Sequence, residues 1–226
     1  VMKIFLYWNY KDQDSKKIYQ FLKNNSFMDF LNNCHNVIFY KEFRDFPLND
    51  TLLNHMATSD LILFFTHGDD DAILKFRYND ESVKKRFTFI DLENASILKN
   101  KKVIAFCCRS ANRLGRYCVD KDIESKFFVG FCDDLVYSEN FSNDFKNIVY
   151  KTYSNAVEVS LLNAYNKNWT ADKFVLMLRK NIIDMLTKEI LTSQDRRLGS
   201  FSGVSFHRKT ADSLIALGQS EQLIFE

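Results

Sequence analysis

Apolar positions along this chain fall into two patterns. Five short runs, KIFLY at 3–7, NVIFY at 36–40, LILFF at 61–65, KVIAFC at 102–107 and KFFVGF at 126–131, carry almost no polar alternation. Runs of this length, bounded by polar residues, predict strands buried on both faces, the signature of a parallel sheet covered by helices. Between them the apolar residues recur at helical spacing. Segment 15–31, with Ile18, Phe21 and Leu22, predicts one helix, and 50–58, capped by Asn49 or Asp50, predicts another. Segments 144–164 and 171–191 have the length and period of two further helices joined near 166–170.

Segment 72–90 sets AILKFRY and RFTFI around the polar NDESVKK, which predicts a surface hairpin, and DLENASI predicts a short helix. Beyond Gln194 the chain turns polar until DSLIALGQSEQLIF closes it with a strand-like run. Strands alternating with helices imply an α/β fold with a doubly wound, mostly parallel sheet and helices on both faces, because right-handed crossovers place them there. No repeat, low-complexity tract or Pro/Gly/Ser linker divides the chain, so residues 1–226 are expected to form a single domain.

Composition narrows the function. The 226 residues are 46% hydrophobic and 15% aromatic, ample for one sizeable core. A formal net charge of +2 gives no field to draw the chain onto nucleic acid or an anionic membrane, and Arg196-Arg197 reads as a solvated turn. No stretch approaches the apolar length of a membrane span, and Val1-Met2-Lys3 leads into a strand instead of a signal-peptide core, so a cytoplasmic location is expected. The five cysteines include the adjacent pair Cys107-Cys108 and no CxxC, which predicts free thiols and no metal site.

In sheets of this kind the working residues gather at the carboxyl ends of strands. His67 follows LILFF and Cys108 follows KVIAF, so adjacency of those two strands would set imidazole beside thiol. A thiolate attacks carbonyl carbon, and a neighbouring imidazole takes the thiol proton and returns it to the leaving amine. The amides of Gly68 and of Cys108 itself are candidate donors to the developing oxyanion. Side chains alternate at a strand end, so Cys107 continues the buried run and Cys108 faces the site. Cys34, Cys118 and Cys132 are expected in the core, His35 and His55 in surface or capping roles, and His207 exposed in the polar tail. Asp69, Asp70 and Asp71 read first as an exposed acidic loop.

DLILFFTHGD, FIDLENASILKNKKVIAFCCRSANRLG and FFVGF resemble the histidine motif, nucleophile strand and following strand of the caspase-like cysteine peptidases. That clan contains caspases, gingipains and separases, and the resemblance is strongest to its bacterial CHAT-like members. It spans residues 61–131 well and the two ends loosely. It implies a caspase-type fold and endopeptidase activity without a cofactor, with His67 as base and acid, Cys108 as nucleophile and Gly68 as oxyanion donor. It implies substrate contacts at Phe106, two positions before the nucleophile, and at Asp69 and Ser110. An aromatic Phe106 there argues for an apolar pocket, whereas Asp69 would select a basic residue a few positions away. Thr66 stands where many members have glycine, and Gly218-Gln219-Ser220 stands where an acidic turn is common.

The resemblance also implies a protein substrate, such as a gasdermin-like effector in antiviral defence or cell death. An activating partner, dimerisation, or self-cleavage in 79–85 or 194–202 would switch the enzyme on. Two other readings keep the same scaffold. The first 65 residues also resemble the opening of TIR domains, which signal or cleave nicotinamide cofactors and need a glutamate on a helix after the third or fourth strand. A caspase-like fold without activity would serve as a binding module.

Overall fold

In the computed structural model, which describes residues 1–23, 25–42, 50–75, 87–135, 143–192 and 201–226, the apolar runs form one sheet. Strands β1 (Lys3–Trp8), β2 (Asn36–Lys41), β3 (Leu61–Phe65), β7 (Lys102–Phe106) and β8 (Phe127–Phe131) are parallel, and β9 (Leu214–Gly218) closes the edge antiparallel to β8. The order is β2-β1-β3-β7-β8-β9. A second, antiparallel sheet joins β4 (His67–Asp69), β5 (Ala72–Leu74) and β6 (Thr88–Asp91).

Residues of one parity on β1, β3 and β7, namely Leu6, Trp8, Leu63, Phe65, Ile104 and Phe106, face one core. That core also takes residues from α1 (Gln13–Ile18), α2 (Asn25–Cys34), α5 (Asn143–Asn166) and α6 (Ala171–Thr192). The opposite parity, including Tyr7, Phe64 and Ala105, faces a second core with α3 (Asp50–Ala57) and α4 (Arg113–Val119). Helices therefore cover both faces, which is why the strands carry no polar alternation. The α/β, mostly parallel architecture expected from the sequence is present, and the two long helices join at 166–171 as expected.

Several local expectations give way. The helix expected over 15–31 breaks into α1, a 3-10 turn at Gln20–Lys23 and α2. The Phe21 N–H goes to the Ser154 hydroxyl on α5 at 3.3 Å instead of continuing the helix, and Phe21 and Leu22 are buried there. The base of the 72–90 hairpin is buried, not superficial, since Ile73, Phe89 and Ile90 are fully covered. Its tip, including 79–85, lies outside the described residues, as does most of 194–202. Residues 201–213, read as a polar tail, form α7 (Phe201–Ser213), and His207 on it is only 2% exposed. Among the described residues no helix is long and apolar enough to cross a membrane.

Candidate active site

β3 and β7 are neighbours, in register Phe65 with Phe106. His67 and Cys108 each stand two residues past these paired ends, so the two strands carry them to the same edge of the sheet. Two contacts describe this junction. Cys108 packs partly buried against the core that holds Phe65 and Phe106, while Cys107 is fully buried in the opposite core. Gly68 lies directly on the Cys107–Cys108 peptide, so a β-carbon there would stand 2.5 Å from the Cys108 carbonyl oxygen and 2.7 Å from the Cys107 β-carbon. Only glycine lets the strand carrying His67 approach the cysteine turn this closely.

The two thiols sit in different chemistry. Burial pushes the Cys107 thiol well up, against a smaller lowering from its hydrogen bond with the Thr66 backbone, so it stays protonated. Cys108 Sγ accepts the Leu135 N–H at 3.2 Å. Tyr153, buried on α5, is held well above the usual phenol range by burial first and by the neighbouring cysteines second, so it remains a neutral phenol.

The sequence reading missed the partner of His67. Asp12, in the loop after β1, places Oδ1 3.1 Å from His67 Nε2. The same oxygen accepts the Ser15 N–H at 2.8 Å as the N-cap of α1, and the Asp12 N–H donates to Asn9 Oδ1 at 3.2 Å. The carboxylate is thereby fixed in direction. Burial alone would raise its pKa, but the hydrogen bond and charge of His67, with the Ser15 amide, hold it below the usual carboxylate range. A D-x-x-S helix cap after a strand is visible in the sequence; that it would meet His67 is not.

Arg109 anchors the turn after Cys108. Its φ of 50° is left-handed, and its N–H donates to the Asp133 carbonyl at 3.1 Å. Its guanidinium meets Asp69 at 3.1 Å, Asp70 at 3.5 Å and Asp134 at 3.0 Å. Partial burial would lower its pKa, and the three carboxylates outweigh that and raise it. Asp70 also accepts from Asn112 Nδ2 at 2.8 Å, and its carbonyl accepts the Leu114 N–H at 2.8 Å.

The residues expected to touch substrate are thus placed differently. Asp69 is engaged by Arg109 and ties the histidine hairpin to the cysteine turn. Phe106 is fully buried, its ring stacked 4.9 Å from Phe65 and edge-on to Phe174 at 6.4 Å, because the last residue of β7 is still roofed by helices. It presents no surface for a pocket wall. Ser110 is fully buried and donates to the Cys107 carbonyl at 2.9 Å, holding the turn's shape. An open cleft of about 510 Å³ lies beyond β8, lined by Cys132, Asp133, Arg208, Lys209, Asp212 and Ser213. Its charges are paired internally, Lys209 with Asp133 at 2.8 Å and Arg208 with Asp212 at 3.8 Å.

Among the described residues no cluster of His, Cys, Asp and Glu suits a metal ion. The helix after β7, RLGRYCV, carries no glutamate of the kind the TIR-like reading required. No family model, curated protein or solved structure matches the chain.

Proposed function

We propose that this chain is a cysteine endopeptidase of the caspase-like type that cleaves a protein partner. The observation that carries the reading is the adjacency of the His67-Gly68 and Cys107-Cys108 peptides at the ends of two neighbouring parallel strands. The resemblance in the motifs around both residues agrees with it.

In this mechanism His67 takes the Cys108 proton as sulfur bonds to the scissile carbonyl carbon. The tetrahedral adduct collapses, the C–N bond breaks, and the amine leaves with the proton held by His67. Water, deprotonated by His67, then attacks the thioester, and the thiol and the new carboxyl product are released. Asp12 keeps the imidazole in the tautomer and direction the transfer needs and stabilises the imidazolium formed. The Gly68 and Cys108 amides are the oxyanion donors of the proposal. Phe106 and Ser110 have no substrate role in it, and Asp69 supports the turn through Arg109.

The setting is cytoplasmic and the reaction needs no cofactor. The substrate is an effector protein released by cleavage, of the kind used in antiviral defence or cell death, and a partner or second copy triggers the enzyme. The test is intact-mass analysis of proteins encoded beside this one after mixing with the native chain, with Cys108→Ala and with Cys107→Ala. Cleavage by the native and Cys107→Ala chains and none by Cys108→Ala is expected. Equal cleavage by Cys108→Ala would sink the proposal.

A further inference from the structure

Two segments meet at His67, the loop after β1 that carries Asp12 and the β4–β5 hairpin that carries the imidazole, and one buried side chain joins them. Asn9, the first residue past β1, is 1% exposed. Its backbone N–H donates to the Phe65 carbonyl at 3.1 Å, which seats it beside the end of β3. Its side-chain amide works in both directions. Oδ1 accepts the Asp12 N–H at 3.2 Å, and Nδ2 donates to the carbonyl of Lys75, one residue past β5. A carboxamide carries donor and acceptor on one carbon, and a donor waiting on one side with an acceptor on the other fixes which end faces which.

The carbonyl that Asn9 grips is itself held. His67 pairs with Leu74 across the hairpin, so Lys75 directly follows the residue opposite the imidazole. The Thr66 hydroxyl donates to the Leu74 carbonyl at 2.6 Å, and the Lys75 N–H donates to the Phe87 carbonyl at 2.7 Å. The Lys75 ammonium, 2% exposed, meets Glu42 at 3.0 Å, and the Tyr7 hydroxyl donates to the same carboxylate. Glu42 in turn donates its N–H to the Trp8 carbonyl at 3.0 Å. Removing either charge would strand the other in the interior, so the pair binds the hairpin to the ends of β1 and β2. The hairpin therefore has a fixed frame, and Asn9 links that frame to the Asp12 loop.

We propose that Asn9 is a positioning residue of the site, setting the distance and angle at which the Asp12 carboxylate meets His67; its consequence for catalysis rests on the peptidase reading above. With Asp12 Oδ1 beside Nε2, the neutral imidazole keeps its proton there and Nδ1 is left as its basic atom. Loss of the amide uncouples the Asp12 loop from the hairpin, and the proton then distributes over both nitrogens. Asp12 stays an N-cap throughout, because its bond to the Ser15 N–H lies within its own segment. A small misplacement of this kind costs rate without costing the fold.

The experiment has two arms, both on the full chain. In the first, long-range proton–nitrogen NMR reads the His67 tautomer, with resonances assigned by their loss in His67→Gln. The native chain is compared with Asn9→Ala and with Ser125→Ala, which deletes another buried side-chain hydrogen bond, to the Leu98 carbonyl at 2.8 Å, before the amino end of β8. The native chain and Ser125→Ala are expected to show the Nε2–H tautomer, and Asn9→Ala to raise the share of the Nδ1–H tautomer at least threefold. An unchanged ratio in Asn9→Ala, or an equal change in Ser125→Ala, overturns the positioning role. The native chain alone gives a check that needs no variant to fold: the Asn9 side-chain amide protons should exchange with solvent at least a hundredfold slower than those of exposed Asn54, and equal rates overturn the buried link. In the second arm, a library peptide cut by the native chain and not by Cys108→Ala serves for kinetics. Asn9→Ala is expected to lower kcat at least about tenfold with KM within about threefold, and Ser125→Ala to stay within about twofold of the native chain. An unchanged kcat in Asn9→Ala overturns the positioning role and leaves the peptidase standing. Absence of any cutting that depends on Cys108 overturns the peptidase reading, while the tautomer ratio still decides the link between Asn9 and His67.

Discussion

Asp12 Oδ1 and His67 Nε2 lie 3.1 Å apart, tying the loop after the first strand to the end of the third. Asp12 has two duties, capping α1 and holding His67, and a substitution can separate them. Asp12→Ser keeps an N-cap oxygen, so stability should change by only about 0.5 kcal/mol. It removes the carboxylate that orients the imidazole, so turnover should fall at least about tenfold. Parallel fall of melting temperature and activity would mean that Asp12 acts only as a cap.

Gly68→Ala drives a β-carbon into the Cys108 carbonyl, which is backbone and cannot swing aside. The hairpin or the cysteine turn must shift, at about 1–3 kcal/mol. Urea unfolding should show that loss, and reaction of Cys108 with iodoacetamide should change in rate. An unchanged stability would contradict the close approach of these two peptides.

Arg109 should tolerate glycine better than alanine. Both remove the bridge to Asp69, Asp70 and Asp134, but only alanine retains the penalty of a φ of 50°. Arg109→Gly should therefore be more stable than Arg109→Ala by roughly 1 kcal/mol, the reverse of the usual order. Chemical denaturation of the two variants measures the difference directly.

His207 should make the fold sensitive to mild acid. Burial pushes its imidazole from the ordinary 6.5 down to about 4, so the folded chain holds it neutral while the unfolded chain takes up a proton. That contribution to stability is complete above the unfolded pKa and is lost as pH falls toward the folded one. Unfolding free energy should decline by up to about 3 kcal/mol between pH 7 and pH 4. His207→Gln should flatten this slope, and an equal slope in that variant would refute the assignment. The lowered pKa of Asp12 adds its own loss only below the usual carboxylate range.

Much of the frame was legible in the chain. LILFF and KVIAF are buried on every residue, and a strand so read must lie inside a sheet covered on both sides. The same reasoning put His67 and Cys108 at strand ends and gave Cys107 to the interior. It failed at Phe106 and Ser110, because position relative to Cys108 along the chain says nothing about what buries a residue. It failed at His207 because FSGVSFHRKTADS is too polar for its period to stand out, yet Ala211 and Leu214 beside it are buried.

Local periodicity, by itself, determined the five parallel strands and the two long helices, since each must bury its own apolar residues. It also put a histidine and a cysteine at the carboxyl ends of two such strands. Tertiary structure alone decided that those strands are neighbours in register, that Asp12 reaches His67, and that Lys75 and Glu42 meet in the interior. Each of these joins groups from separate elements. The period of a segment reports that a face is covered, and only the packing of the whole chain selects what covers it.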